Sequence, residues 1–374
     1  MSSIKKLYYY TSTETMQKII QNGNIWATNL AYMNDAREVV NGLAEIRTIM
    51  LDVEKVKNWL AGQEEIDADG EVYVKSEPAE IFTKSKMSNF VDISSKYTIS
   101  FCEKKDLLSQ WIAYARESGV CMEMAFDMSK EIKFAFYGNN PKEKVRSLKR
   151  SALPDKILYY TKSRSMSEEH EKETREEILK RMFKNGQDPD VLQRQWNETG
   201  TYVKHYDFYQ EEEYRIAFHT EEWLPFRIGY RMDKHILKPY LDVACENGWP
   251  VTMIMVGPGF NQKVVFDSIK FYLDHEEIQS SALRTVKQWQ CQIKDYFAEA
   301  EKVCGPMERK DKKRLSDWIK TLRKKSIEDR SGRADIQKHV RELGMGEKYL
   351  KYHDDHYFTV SGIILKKSDI PYIY

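Results

Sequence analysis

An acidic triplet, Glu211-Glu212-Glu213, stands directly ahead of Tyr214-Arg215. Carboxylates placed in this way can stabilise a developing cation, move a proton or hold a metal. Residues two apart on a strand share a face, so on an extended reading Glu211 and Glu213 point the same way. The competing reading is a solvated acidic edge, since runs of charge usually face water. Arg215 is a candidate partner for Glu38 or Glu211, as an ion pair or as a functional group.

Other segments carry polar and aromatic side chains at short spacings. These are Leu7-Tyr8-Tyr9-Tyr10-Thr11, Asn34-Asp35-Ala36-Arg37-Glu38, Ser100-Phe101-Cys102-Glu103, Trp111-Ile112-Ala113-Tyr114 and Met255-Val256-Gly257-Pro258. Asn34-Asp35 suits a helix cap, or with Glu38 a ligand or metal site. Trp111 and Tyr114 lie three apart, a spacing that puts both on one helix face and favours core packing. Ser100 lacks a G-x-S-x-G elbow, and Cys102 has no obvious activating partner. His353-Asp354-Asp355-His356 matches no standard zinc spacing and reads as a solvated loop. Gly257-Pro258-Gly259 is a turn and not a phosphate loop, because no Gly-Lys-Ser/Thr follows.

The elements that must position these residues follow from periodicity. Lys5 to Thr11 reads as a strand. Thr13 caps a helix with Met16, Ile19 and Ile20 on its apolar face, and Gly23 ends it. Asn24 to Thr28 is extended. Asp35 caps a longer helix through Val39, Leu43, Ile46, Ile49 and Met50. Residues 61–78 form a loop or small hairpin, and residues 79–90 a helix. Strands are expected at Tyr97 to Cys102, Val120 to Phe126, Ile157 to Thr161, Tyr214 to His219, Val251 to Gly257 and Thr359 to Lys366. Helices are expected over 107–116, 168–184 and 264–273. Residues 281–346 show three helical stretches, broken near Gly305-Pro306 and Ser331-Gly332.

The pattern implies a mixed α+β fold, with a central, largely antiparallel sheet, whole or split, flanked by helices. A catalytic-like domain is expected over 1–280 plus 358–374, with a helical insertion at 281–357 before the last strand. The chain has 374 residues, 41 % of them apolar and 12 % aromatic, enough for a sizeable core. Net charge is +1, so no whole-molecule field draws it to nucleic acid or membrane. The start lacks the apolar stretch of a signal peptide, and no apolar run nears the ~20 residues that span a bilayer. Five cysteines without C-x-x-C spacing argue against a disulfide framework, which suits a cytoplasmic protein. Residues 306–330 hold ten Lys or Arg against five Asp or Glu around Leu315, Trp318, Ile319 and Leu322. That is an amphipathic basic helix, either packed with its charged face in water or touching nucleic acid or a partner protein.

Taken in order, the motifs resemble a bacterial family known only as a domain of unknown function. Its pattern runs Y-[HY]-Y-T, N-D-x-x-E, S-F-[SC]-E, W-x-x-Y, E-x-E-[WY]-R and a late G-P. The likeness covers roughly residues 4–275 and 359–374. Tyr9 stands where that family often has His, and Ala36 where it usually has Pro. More distantly, the order of Tyr9 and Thr11, Ser100-Phe101-Cys102 and Glu211-Glu212-Glu213 resembles ADP-ribosyltransferases. That resemblance implies an enzyme that consumes NAD as substrate by transfer or hydrolysis, without a metal. Loss of nicotinamide builds positive charge on the ribose, which Glu213 would stabilise, with Glu211 orienting or deprotonating the acceptor and Ser100 holding Glu213. Arg215 would belong to the same catalytic group. Tyr9 and Thr11 would contact a ribose or the nicotinamide amide. Phe101, Trp111 or Tyr114 would offer a ring face, and Asn34, Asp35 and Glu38 would line the NAD site. A role as a toxin or antiphage-defence effector modifying a macromolecular acceptor fits that chemistry. The alternatives are a nucleic-acid-binding or metal-dependent nuclease-like protein using Asp35, Glu38 and Glu211, and a non-catalytic sensor or interaction module.

Overall fold

The computed structural model describes residues 3–33, 38–61, 65–66, 72–73, 95–115, 119–138, 145–161, 166–185, 189–220, 226–233, 235–275, 286–321, 349, 351–352, 356–358 and 363–370. Asn34, Asp35, the helix expected over 79–90, the third helical stretch before Gly346 and the start of the last expected strand lie outside these residues. The fold is mixed α+β, with a large, mostly antiparallel sheet and flanking helices, as the periodicity implies. The chain divides into two compact units. One comprises Met1–Ile25, Phe101–Ala135 and Ala244–Tyr374; the other comprises Trp26–Ser100 and Phe136–Val243.

In the first unit the strand Gly119–Asp127 lies between Ile4–Ser12 and Val251–Val256, antiparallel to both. Its Val120, Cys121, Met122 and Met124 are fully buried. A near-continuous apolar run is what a strand covered on both faces requires. Ile364–Lys367 pairs in parallel with Val251–Val256, and His356–Phe358 adds an antiparallel edge. The helix Thr13–Asn22 is capped by Ser12, one residue earlier than the sequence suggests, with the Ser12 hydroxyl accepting from the Thr15 amide at 3.1 Å. It ends at Gly23 in the left-handed conformation. The basic helix Arg309–Thr321 buries Leu315, Trp318 and Ile319 against Ile293, Tyr296 and Phe297 of the helix Val286–Cys304. Its apolar stripe is thus used in packing, and its charged face meets solvent.

In the second unit Asn24–Asn29 pairs antiparallel with Lys96–Cys102 through Thr28 and Asn29. Glu213–His219 lies beside Lys96–Cys102 and pairs on its other side with Asp155–Lys156. Glu65–Ile66 and Val72–Tyr73 form the small hairpin expected near residues 61–78. Leu158–Tyr160 runs parallel to Val203–His205. The connection between them carries the helices Glu168–Phe183 and Pro189–Gly200, as a parallel pair demands a long crossover.

The helix Glu38–Leu51 presses on the strand Val203–His205 through Gly42. A β-carbon there would sit 2.2 Å from the Val203 carbonyl oxygen. Glycine is otherwise a poor helix interior residue, so close approach explains it. Leu43, Ile46, Ile49 and Met50 then bury against Ile178, Leu179, Met182 and Trp196. Gly42→Ala is expected to destabilise the protein by roughly 1–3 kcal/mol, because the overlap is with backbone and the strand must shift. Thermal unfolding measures it, and an unchanged midpoint would contradict this packing.

Candidate functional site

The second unit gathers Ser100, Glu211, Glu213 and Arg215 and adds two groups that the sequence reading missed, Lys204 and Tyr159. Glu213 opens its strand and Arg215 follows two residues on, so both side chains leave the same face. Arg215 folds back and forks the carboxylate, with Nε to Oε1 at 2.6 Å and Nη2 to Oε2 at 2.9 Å. Its Nη1 donates to the Thr201 carbonyl at 3.0 Å, just past the end of the helix Pro189–Gly200. That placement sets a cation against the negative end of the helix. Arg215 is fully buried, and the Glu213 side chain is 7 % exposed. Among the described residues Arg215 pairs with Glu213, a partner that the sequence reading did not weigh. Glu38 begins its helix, and its side chain lies outside the described part of the structure.

Tyr159 and Lys204 are register partners on the parallel pair of strands. The Tyr159 hydroxyl accepts from the Glu213 amide at 2.8 Å. Lys204 Nζ donates to Glu211 Oε2 at 2.7 Å and lies 3.4 Å from Glu213 Oε2. It also sits 4.7 Å from the centre of the Phe208 ring. Among the described residues the buried Ser100 hydroxyl has no hydrogen-bond partner within 3.5 Å, yet it is near enough to Glu213 to favour its charged form.

Glu211 is not on the strand. It ends a 3-10 turn, Tyr206–Glu211, and Glu212 takes a left-handed conformation before Glu213 starts the strand. The expectation that strand alternation aligns Glu211 with Glu213 is therefore corrected: the two carboxylates meet through their shared contact with Lys204. Glu211 is 27 % exposed, so it keeps a face to solvent that Glu213 lacks. The same turn presents Tyr209, an exposed ring stacked on Tyr206 with centroids 5.0 Å apart and 11° between planes.

In the first unit, Thr11, Phe101 and Trp111 are core residues. Phe101 packs edge-on against Phe126, and Trp111 edge-on against Tyr10. Trp111 Nε1 donates to Asp106 Oδ1 at 2.9 Å. Phe101 and Trp111 therefore have no ring face to offer a ligand. Tyr9 is half-buried with its ring 5.8 Å from Phe101. Tyr114 is exposed. Trp111–Ala115 forms a wide π-helical turn, so a spacing of three does not hold Trp111 and Tyr114 on one face.

Burial of Glu213 opposes its charge, but Arg215 and Lys204 outweigh that penalty and bring its pKa down from 4.5 to about 2. A depressed carboxylate pKa contributes stability above the unfolded value, and that contribution is lost as pH falls toward the folded one. Glu213→Gln leaves two cations buried with one fewer counter-charge, an expected loss of roughly 3–5 kcal/mol near neutral pH. Its stability should also vary less than wild type between pH 4.5 and about 2. Urea unfolding across that range tests both points, and parallel pH profiles would contradict them.

No curated protein and no solved structure matches the chain. Residues 110–216 match the model of a family described as "Protein of unknown function (DUF2971)", a stretch that runs from just before Trp111 to just past Arg215.

Proposed function

We propose that the protein is an NAD-consuming enzyme of the ADP-ribosyltransferase or glycohydrolase kind, with Glu211 as the carboxylate that faces the substrate. The observation that carries this reading is the division of labour within the acidic triplet. Glu213 is locked by Arg215 and stays charged at neutral pH, whereas Glu211 is anchored through Lys204 and stays accessible. A carboxylate fixed in this way stabilises positive charge on a sugar more than it stabilises the neutral ground state.

In this reaction the bond between the nicotinamide nitrogen and the ribose anomeric carbon breaks, and its electron pair leaves with nicotinamide. Water or an acceptor nucleophile then bonds to that carbon, and Glu211 takes its proton. Glu213 and Arg215 act as positioning residues, holding the strand start against which the turn is set. The exposed Tyr209 ring, backed by Tyr206, offers a flat surface for a base or for nicotinamide.

One feature favours a second reading, a module that binds a ligand without chemistry: both Glu213 oxygens are already engaged by Arg215. A single experiment separates the two. Purified protein with NAD labelled in the nicotinamide ring should release nicotinamide. Glu211→Gln should slow release by roughly 10²–10³-fold in a folded protein, with a smaller fall in thermal midpoint than Glu213→Gln because Lys204 keeps Glu213 as a counter-charge. Calorimetric binding of NAD with no release would support the binding module. Neither binding nor release, or equal release by Glu211→Gln and wild type, would remove the enzyme proposal.

A further inference from the structure

A second group of side chains in the Trp26–Ser100 and Phe136–Val243 unit serves neither the core nor the Glu211 turn. Along Asn24–Asn29 burial alternates: Ile25, Ala27 and Asn29 point inward, and Trp26 and Thr28 are half-buried on the other face. The Tyr240 ring stacks on Trp26 with centroids 4.3 Å apart and 24° between planes. Tyr240 is the register partner of Gly229. A β-carbon at Gly229 would lie 2.5 Å from Tyr240 Cζ, so the ring rests across the glycine. Two residues on, Arg231 donates from Nη2 to Thr28 Oγ1 at 3.1 Å, with its guanidinium 6.0 Å from the Trp26 ring centre.

The strip continues through Asp242, two residues past Tyr240. Arg146 donates to it from Nη2 at 2.8 Å and lies 4.6 Å from the centre of the Tyr137 ring. Arg227 lies 5.0 Å from the same ring. Arg231, Arg146, Arg227 and the three rings are all half-buried, so each keeps an outward portion. Arg146 is paired with the Asp242 carboxylate, and all three guanidinium groups lie beside aromatic rings.

We infer that this strip is a docking surface for single-stranded nucleic acid. Bases stack on aromatic faces with little regard to sequence, and guanidinium groups chelate phosphate oxygens. A duplex hides its base faces, so the rings would be idle against it. A lone nucleotide needs one ring and one phosphate contact. Here the Trp26–Tyr240 stack has Arg231 beside it, and Tyr137 has Arg146 and Arg227, a repeat that matches more than one nucleotide. The strip, and not the basic helix Arg309–Thr321, is the assigned surface. Several cations on that helix are tied to neighbouring carboxylates, Lys310 to Glu308 and Lys312 to Glu301.

Fluorescence anisotropy of labelled oligouridylate and oligothymidylate with the full chain tests the assignment, starting at about 50 mM salt, where phosphate contacts are strong. Wild type should bind, and its affinity should fall steeply with salt. Tyr240→Ala should weaken binding by roughly ten-fold or more with little change in salt dependence, and Tyr240→Phe should bind as wild type does. Arg231→Gln should weaken binding and reduce the salt slope by about one, with Arg231→Lys restoring most of it. The Phe and Lys variants keep the result readable if a harsher change disturbs folding. Several results would overturn the assignment: no oligonucleotide binding at low salt, preference for duplex, binding of mononucleotides alone, or loss only on replacing Lys310 and Lys313 while the strip variants bind normally.

Discussion

The second unit is organised around one buried interaction, the fork of Arg215 on Glu213. Taking two such charges out of water is costly unless geometry and hydrogen bonding compensate. Here the compensation reaches across several elements: Lys204 from one strand, Tyr159 from its parallel neighbour, and the Thr201 carbonyl at a helix end. Each element must be in place for the charges to be satisfied. The ion pair therefore demands a particular register of Leu158–Tyr160, Val203–His205 and Glu213–His219. A hydrophobic replacement would ask less of that register, because apolar contact is non-directional.

The same constraint shapes what the acidic triplet can do chemically. Glu213 is held charged and enclosed, a fixture rather than a reagent. The left-handed turn at Glu212 lifts Glu211 off the strand and toward solvent, still tethered to Lys204. A reactive carboxylate needs a defined position and access to substrate, and this arrangement supplies the two from different residues. In the first unit, polar satisfaction does comparable work. Asp106 accepts from Trp111, from the Ser368 hydroxyl and from the Asp369 amide at 2.9 Å, fixing the segment after Ile364–Lys367 beside the Trp111 turn.

The regular, strongly apolar elements were legible in the sequence. Val120 to Phe126 and Val251 to Gly257 read as buried strands because nearly every position is apolar. The helix Thr13–Asn22 read clearly from its spacing and its glycine stop. The elements that escaped are those whose local chemistry argues against their state. Ile236–Cys245 carries Pro239 inside a strand, and its partner Ile228–Asp233 carries Gly229, Arg231 and Asp233. Pro189–Gly200 hides within a heavily charged stretch. At the candidate site the residue types were legible but their placement was not. The Glu-x-Glu spacing says nothing of a 3-10 turn followed by a positive φ. Lys204 and Tyr159 carry no motif, and only the parallel register brings them to Glu213. A ring-face role for Phe101 and Trp111 comes only from the distant resemblance, and the core packing that spacing favours for Trp111 is what the structure shows.

Glu213 and Arg215 act as one unit, and a double-mutant cycle measures their coupling directly. Urea unfolding of wild type, Glu213→Gln, Arg215→Met and the double variant gives the coupling free energy. Coupling of about 2–3 kcal/mol is expected, with the double variant losing far less than the sum of the singles. Additive losses, with coupling near zero, would contradict it.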